Sequence, residues 1–235
     1  MTLEALFFDV GRTLLTEVPS RYEIYAQTAR QRGRNLSAMT MKRVMRTAHG
    51  DIPARIGGAY RYTDAWFRAF IHRIFCQNLG LAPEVISDVS EELLEKFSQA
   101  ETFRVFPGAH ELLTELKGRG LKLGVISNWS ERLGLLLERT ELAGYFDVVV
   151  CSATEKMEKP DPDLFHLALE RMGVKPEQAL HTGDHPEQDG GAAAIGMEFV
   201  QIDHLRGADP STPRDFPVVG SFDELHVHLN ARLAG

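Results

Sequence analysis

Short runs of Val, Ile, Leu and Phe recur through the second half of the chain, separated by stretches in which apolar residues return every three or four positions. Apolar runs bounded by Gly, Pro and Asp read as buried strands, and the longer spacing reads as amphipathic helix. The pattern predicts strands at 3–9, 121–127, 146–151, 178–183 and 197–202, with a weaker sixth at 216–220. Helices are predicted at 109–119, 130–142, 161–172, 187–195 and 221–233, and Asn128, with Glu131 three residues on, is expected to cap the second of them. Alternating strands and helices predict an α/β fold with a Rossmann-like parallel sheet.

The stretch 17–104 is patterned differently. Tyr22, Tyr25, Ala26 and Ala29 form one helical stripe, Trp66, Phe67, Phe70, Ile74 and Phe75 form another, and no convincing strand interrupts them. Gly50 to Gly58 breaks the region in its middle. Two parts are therefore expected: a core of residues 1–16 and 105–235, and an inserted all-helical cap at 17–104. An insertion leaving from the carboxyl end of the first strand would lie over that edge of the sheet as a lid.

Composition narrows the class. At 235 residues the chain can bury a substantial apolar centre, and 43% hydrophobic with 25% charged residues is ordinary for a folded globular protein. A formal net charge of −7 argues against a nucleic-acid or anionic-membrane partner, because surfaces for those are basic. No apolar run approaches the roughly 20 residues that span a bilayer, and the first residues lack a signal-peptide pattern. A cytoplasmic protein is expected, monomer or homodimer. Cys76 and Cys151 match no metal or redox spacing and read as buried small hydrophobes.

Candidate chemistry gathers where strands end. In parallel α/β sheets ligands bind beyond the carboxyl ends of the strands, and Asp9, Ser127 and Asp184 each fall at such an end. A carboxylate on a buried strand is costly unless compensated, so a cation is expected beside Asp9. Hard oxygen donors such as Asp9, Asp184 and Asp189 suit Mg²⁺. Lys159, in Glu158-Lys159-Pro160-Asp161-Pro162, is held in a proline-fixed loop before a helix, where it offers positive charge to a carboxylate or phosphoryl oxygen. Ser127 and Asn128 close a strand and are expected to open a helix, making an anion-binding corner. Thr13 is expected to brace the loop after Asp9, with a lesser role at substrate.

The ordered set Asp9-Val10-Gly11-Arg12-Thr13, Ser127-Asn128, Lys159 and Gly183-Asp184 through Asp189 resembles the motifs of the haloacid dehalogenase-like hydrolases. The resemblance covers 1–16 and roughly 105–235. It implies that Asp9 is a nucleophile, that Asp9, Asp184 and the Gly11 carbonyl hold Mg²⁺, that Asp189 orients the metal's waters, and that the substrate is a small, phosphorylated molecule.

One position departs from the family's phosphatases, which carry an Asp two residues after the nucleophile as general acid and base. Here that residue is Gly11, and Arg12 beside it is no base. The leading expectation is a Mg²⁺-dependent phosphoester hydrolase whose leaving group needs little protonation or whose acid lies elsewhere, at His185, Glu17 or in the cap. Gly11→Asp is then expected to raise activity on alkyl phosphates. A catalytically poor metal-binding domain is the alternative from another class. A 2-haloacid dehalogenase and a phosphonatase-like enzyme are lesser ones, the last needing a cap lysine that only Lys42 or Lys96 can supply.

Overall fold

The computed structural model describes residues 2–205 and 215–234. Six parallel strands form one sheet in the spatial order Val218–Val219, Glu198–Ile202, Ala179–Gly183, Ala5–Phe8, Lys122–Ser127, Val148–Cys151. Every predicted strand is present, each shortened at its start, and Ala5–Phe8 and Val218–Val219 at both ends. Ala5–Phe8 is central: Phe8 pairs with Val125 on one side and Thr182 on the other. The chain moves outward from it in both directions, so the strand order reverses there, at the place where an open α/β sheet forms its ligand crevice.

Alternation along the central strand explains the layers. Leu6 and Phe8 face one cluster with Leu123, Val125, Leu112, Leu136 and Phe222, whereas Ala5 and Phe7 face another with Ile126, Phe165 and Leu169. Helices Ala109–Gly118, Leu133–Arg139 and Phe222–Ala234 contribute to the first layer, and Pro162–Met172 to the second. A strand with both faces covered must be apolar throughout, which is why this one reads as an unbroken hydrophobic run. Burying a Phe or Leu of this kind is worth about 1.5–3 kcal/mol each.

Residues 18–102 are mainly helical, with helices Arg21–Gln31, Ala38–Asp51, Asp64–His72 and Ile86–Lys96. They close over a separate cluster built on Tyr25, Met41, Trp66, Phe70, Ile74 and Phe75, which includes both predicted stripes. Trp66 stacks on Phe70 with ring centroids 5.3 Å apart, and its Nε1 donates to the Pro53 carbonyl at 2.9 Å.

The expectation of an all-helical stretch needs correction. Arg55–Ile56 and Ala59–Tyr60 form a small antiparallel hairpin where Gly57 and Gly58 both have positive φ, so the glycine-rich break is a turn between strands. Leu15–Glu17 also pairs antiparallel with Phe103–Val105, tying together the two chain segments that join the helices to the sheet. Two predicted helices are shorter than expected. The 130–142 helix is only Leu133–Arg139, and 187–195 is split into Pro186–Asp189 and Gly191–Ala194 at Gly190, where a Cβ would lie 2.2 Å from the Pro186 carbonyl oxygen. Cys151 is buried as expected, but Cys76 is half-buried.

Candidate active site

Asp9 follows the central strand directly, and its backbone N–H continues the ladder by donating to the Thr182 carbonyl at 2.8 Å. Its side chain is nearly buried. Ser127 Oγ donates to Asp9 Oδ1 at 2.9 Å and Lys159 Nζ donates to the same oxygen at 2.7 Å. Residues 118 and 150 positions away thus converge on one carboxylate oxygen.

Lys159 is 3% exposed and its ammonium is fully engaged. It also donates to the Ile126 carbonyl at 2.9 Å and to Asp189 Oδ1. Burial opposes its charge, but the carboxylates of Asp189 and Asp9 more than compensate and hold its pKa above the usual lysine range. The loop that presents it is fixed as expected: Asp161 caps the helix Pro162–Met172 through the Asp163 N–H at 3.0 Å.

Asn128 does something different from what its position suggested. It caps no helix, since the next helix begins at Leu133 after Arg132. Ser127 and Asn128 therefore lack the helix amides of an anion-binding corner, and that expectation is withdrawn. Instead Asn128 clamps the peptide of Lys159. Its Oδ1 accepts from the Lys159 N–H at 2.8 Å, while its Nδ2 donates to the Lys159 carbonyl at 3.1 Å and to Gln188 Oε1 at 3.3 Å.

Asp184 and Asp189 follow the strand Ala179–Gly183. Gly183 is required there by close approach, because a Cβ would fall 2.2 Å from the Asp189 carboxyl carbon. Burial would raise the Asp189 pKa, yet Lys159 and His181 outweigh it and hold this carboxyl far below the carboxylate range. Both its oxygens are taken: Oδ1 by Lys159 and by His181 Nε2 at 2.9 Å, Oδ2 by the His185 N–H at 2.9 Å. Asp184 has the opposite fate. Burial and the charge of Asp9 push it up to about 7, only partly relieved by Arg12, whose Nε lies 3.4 Å from Asp184 Oδ2.

The three carboxylates Asp9, Asp184 and Asp189 offer oxygens within 4.8 Å of one another. With Asp189 saturated by other donors, Asp9 and Asp184 are left as a mutually repelling pair in a largely buried site. That donor set, all hard oxygen with one or two carboxylates available, fits Mg²⁺.

Thr13 is fully buried in the loop after Asp9, and its Oγ1 meets no protein partner. Its carbonyl lies 2.9 Å from His204 Nε2, and the His204 ring stacks on Phe106 at 3.9 Å, so the loop is held through the Thr13 main chain. Glu17, one of the alternative acids, is paired with Arg21.

Three neighbours escaped the sequence reading. His181 is a fully buried imidazole inside a strand, lying against Asp189; an ionisable residue in an apolar run was the available signal. Arg61, from the hairpin region, donates to Glu158 Oε1 at 2.8 Å beside Lys159, a pairing 97 residues apart that no local pattern announces. Trp129 is the third. A Cβ built on Gly11 would lie 2.9 Å from Trp129 Cζ3, so the indole edge fills the space into which a side chain at position 11 would project.

Similarity to known proteins extends over most of the chain. A family model for haloacid dehalogenase-like hydrolases matches residues 3–196. The chain is 31% identical over 223 residues to haloacid dehalogenase-like hydrolase domain-containing protein 3 of Bos taurus, covering 92% of this chain and 88% of that one. It is 34% identical over 164 residues to a phosphoserine phosphatase of Thermus thermophilus, 66% of this chain and 63% of the other. A crystal structure of a phosphatase of the same family from Thermococcus onnurineus superposes with TM-score 0.69 at 28% identity, over 97% of this chain and 98% of that chain. Among the described residues no helix is long and apolar enough to cross a membrane.

Proposed function

The chain belongs to the haloacid dehalogenase-like hydrolases, and from that premise we propose that it hydrolyses a small phosphate monoester through an aspartyl-phosphate on Asp9. The observation that carries the reading is the single Asp9 oxygen held by Ser127 and Lys159, which leaves the other oxygen for attack. Its relatives named as phosphatases point to the same reaction class.

In the first half-reaction an Asp9 oxygen attacks phosphorus and the bond from phosphorus to the leaving oxygen breaks. Lys159 and Ser127 fix the carboxylate for that attack, and the Lys159 charge offsets the negative charge that builds on the transferring group. The leaving oxygen departs with its electron pair, because Gly11 has no proton to give it. In the second, water attacks phosphorus, and the Asp9 carboxylate and inorganic phosphate are released. Mg²⁺ would be held by Asp9, Asp184 and the Gly11 carbonyl and would supply electrostatic neutralisation of the phosphoryl oxygens, while Asp189, its oxygens taken by Lys159, His181 and the His185 N–H, holds the lysine in place instead of orienting the metal's waters. The helices of residues 17–104 are assigned as the cap over this site, anchored to the core by Arg61 with Glu158 and by Asp64 with Arg132.

A second reading has its own support. No acid follows Asp9 at position 11, and the exposed Arg12, with φ of 60°, lies 3.4 Å from Asp184, as in a catalytically poor domain that keeps its metal site for binding. Turnover of an aryl phosphate with and without Mg²⁺, and of a 2-haloacid without metal, separates the readings. Metal-dependent release of phosphate that disappears in Asp9→Asn supports the first. Metal binding without turnover supports the second.

A further inference from the structure

Trp129 stands two residues after Ser127, and its main chain is tied down. Its N–H donates to Ser152 Oγ at 3.1 Å, and its carbonyl accepts from Ala153 N at 3.3 Å and Cys151 Sγ at 3.2 Å. The ring packs against Phe103 with centroids 6.0 Å apart, yet the residue is only half-buried. Three atoms of the six-membered ring, Cζ3, Cε3 and Cη2, lie 2.9, 3.7 and 3.9 Å from a Cβ built on Gly11. The indole therefore occupies the direction in which position 11 faces its surroundings, and a side chain there meets the ring at its first carbon, so one of the two must shift.

Two consequences combine. No proton donor stands at position 11 and Glu17 is paired with Arg21, so a departing oxygen that is stable as an anion has the advantage. A phenol, with a pKa of about 10, meets that condition on the order of 10⁵ times better than a hydroxyl as weakly acidic as water, at about 15.7. The group that replaces the acid is a rigid, partly open aromatic surface, and aromatic rings associate with such surfaces in offset or edge-on geometry. Resting on the phosphoester reading above, we infer that Trp129 is a specificity-determining residue forming the wall of the leaving-group chamber, and that the substrate class is phosphate monoesters of aromatic hydroxyls.

The test uses the full chain with Mg²⁺ and compares phenyl phosphate with glycerol phosphate for the native protein, Trp129→Phe and Trp129→Ala, with folding checked by circular dichroism. The expected result is a native preference for the aryl ester in kcat/KM, reduced about five- to tenfold by Trp129→Ala, carried mainly by KM and largely restored by Trp129→Phe. Phenylphosphonate, which cannot be hydrolysed at its carbon–phosphorus bond by this route, should perturb the fluorescence of Trp129 while methylphosphonate does not, Trp66 being buried in the other cluster. Equal or better use of glycerol phosphate by the native protein overturns the inference while leaving the phosphoester reading intact. So does a Trp129→Ala variant that loses kcat equally on both esters, the mark of a structural brace. Absence of Asp9-dependent turnover on either ester overturns both.

Discussion

Asn128 and Lys159 hold each other through two hydrogen bonds, the Lys159 N–H donating to Asn128 Oδ1 at 2.8 Å and Asn128 Nδ2 donating to the Lys159 carbonyl at 3.1 Å. This clamp binds the end of one strand to the loop that delivers the buried ammonium. Its energetic value lies in position. The Lys159 ammonium already has three acceptors, so a shift of its peptide must break charged hydrogen bonds or drag Asp9 and Asp189 along.

Asn128→Ala should therefore lower kcat by about 10²-fold, the order expected when a reacting constellation is misplaced by about 1 Å. KM should change less. Steady-state kinetics checks it, and Asn128→Asp, which keeps the acceptor and loses the donor, should fall between.

Much of this arrangement was legible in the chain. Asp9, Ser127, Lys159, Asp184 and Asp189 do converge, because strand ends of a parallel sheet lie along one edge and apolar runs mark the strands. The failures share a cause. Asn128 followed by Glu131 has the form of a helix cap, but the same side chain finds stronger partners in a peptide 31 residues away. His181 looks like one more strand residue until its neighbour eight positions on folds back against it. Trp129 carries an ordinary aromatic signal, and only tertiary contact shows that it lies against Gly11. Local pattern encodes elements; pairings across loops depend on packing that no periodicity contains.

Gly11→Asp illustrates the difference. From sequence it restores a missing acid and should raise activity on alkyl phosphates. In the structure the new side chain meets the Trp129 ring at 2.9 Å from its first atom. Overpacking of this kind costs about 1–3 kcal/mol, and a chain of this size loses roughly 2–4 °C in Tm per kcal/mol. Gly11→Asp alone should be less stable and no better on alkyl esters. The pair Gly11→Asp with Trp129→Gly should recover Tm and gain alkyl turnover, by up to about 10²–10⁴-fold if the acid is well placed. Thermal melts and glycerol phosphate kinetics decide it.

The carboxyl of Asp184 gives a pH signature. Its pKa rises on folding from 3.8 to about 7, through burial and the charge of Asp9. The folded state then binds the proton more tightly than the unfolded chain, so stability falls as pH rises between about 4 and about 7 and levels off above. The metal-free protein should lose on the order of a few kcal/mol across that window. Asp184→Asn should flatten the slope, and Mg²⁺ should oppose the loss at the alkaline end, where the ionised carboxylate is free to bind it. Denaturant titrations at several pH values, with and without Mg²⁺, measure both effects.

The central claim is that Asp9 itself takes the phosphoryl group. Acid-quenched phenyl phosphate reactions with Mg²⁺, digested and examined by mass spectrometry, test it most directly. The mechanism predicts a transient gain of one phosphoryl group on the peptide carrying Asp9, absent in Asp9→Asn along with turnover. Turnover that survives Asp9→Asn, or a phosphoryl group found on any other residue, would contradict it.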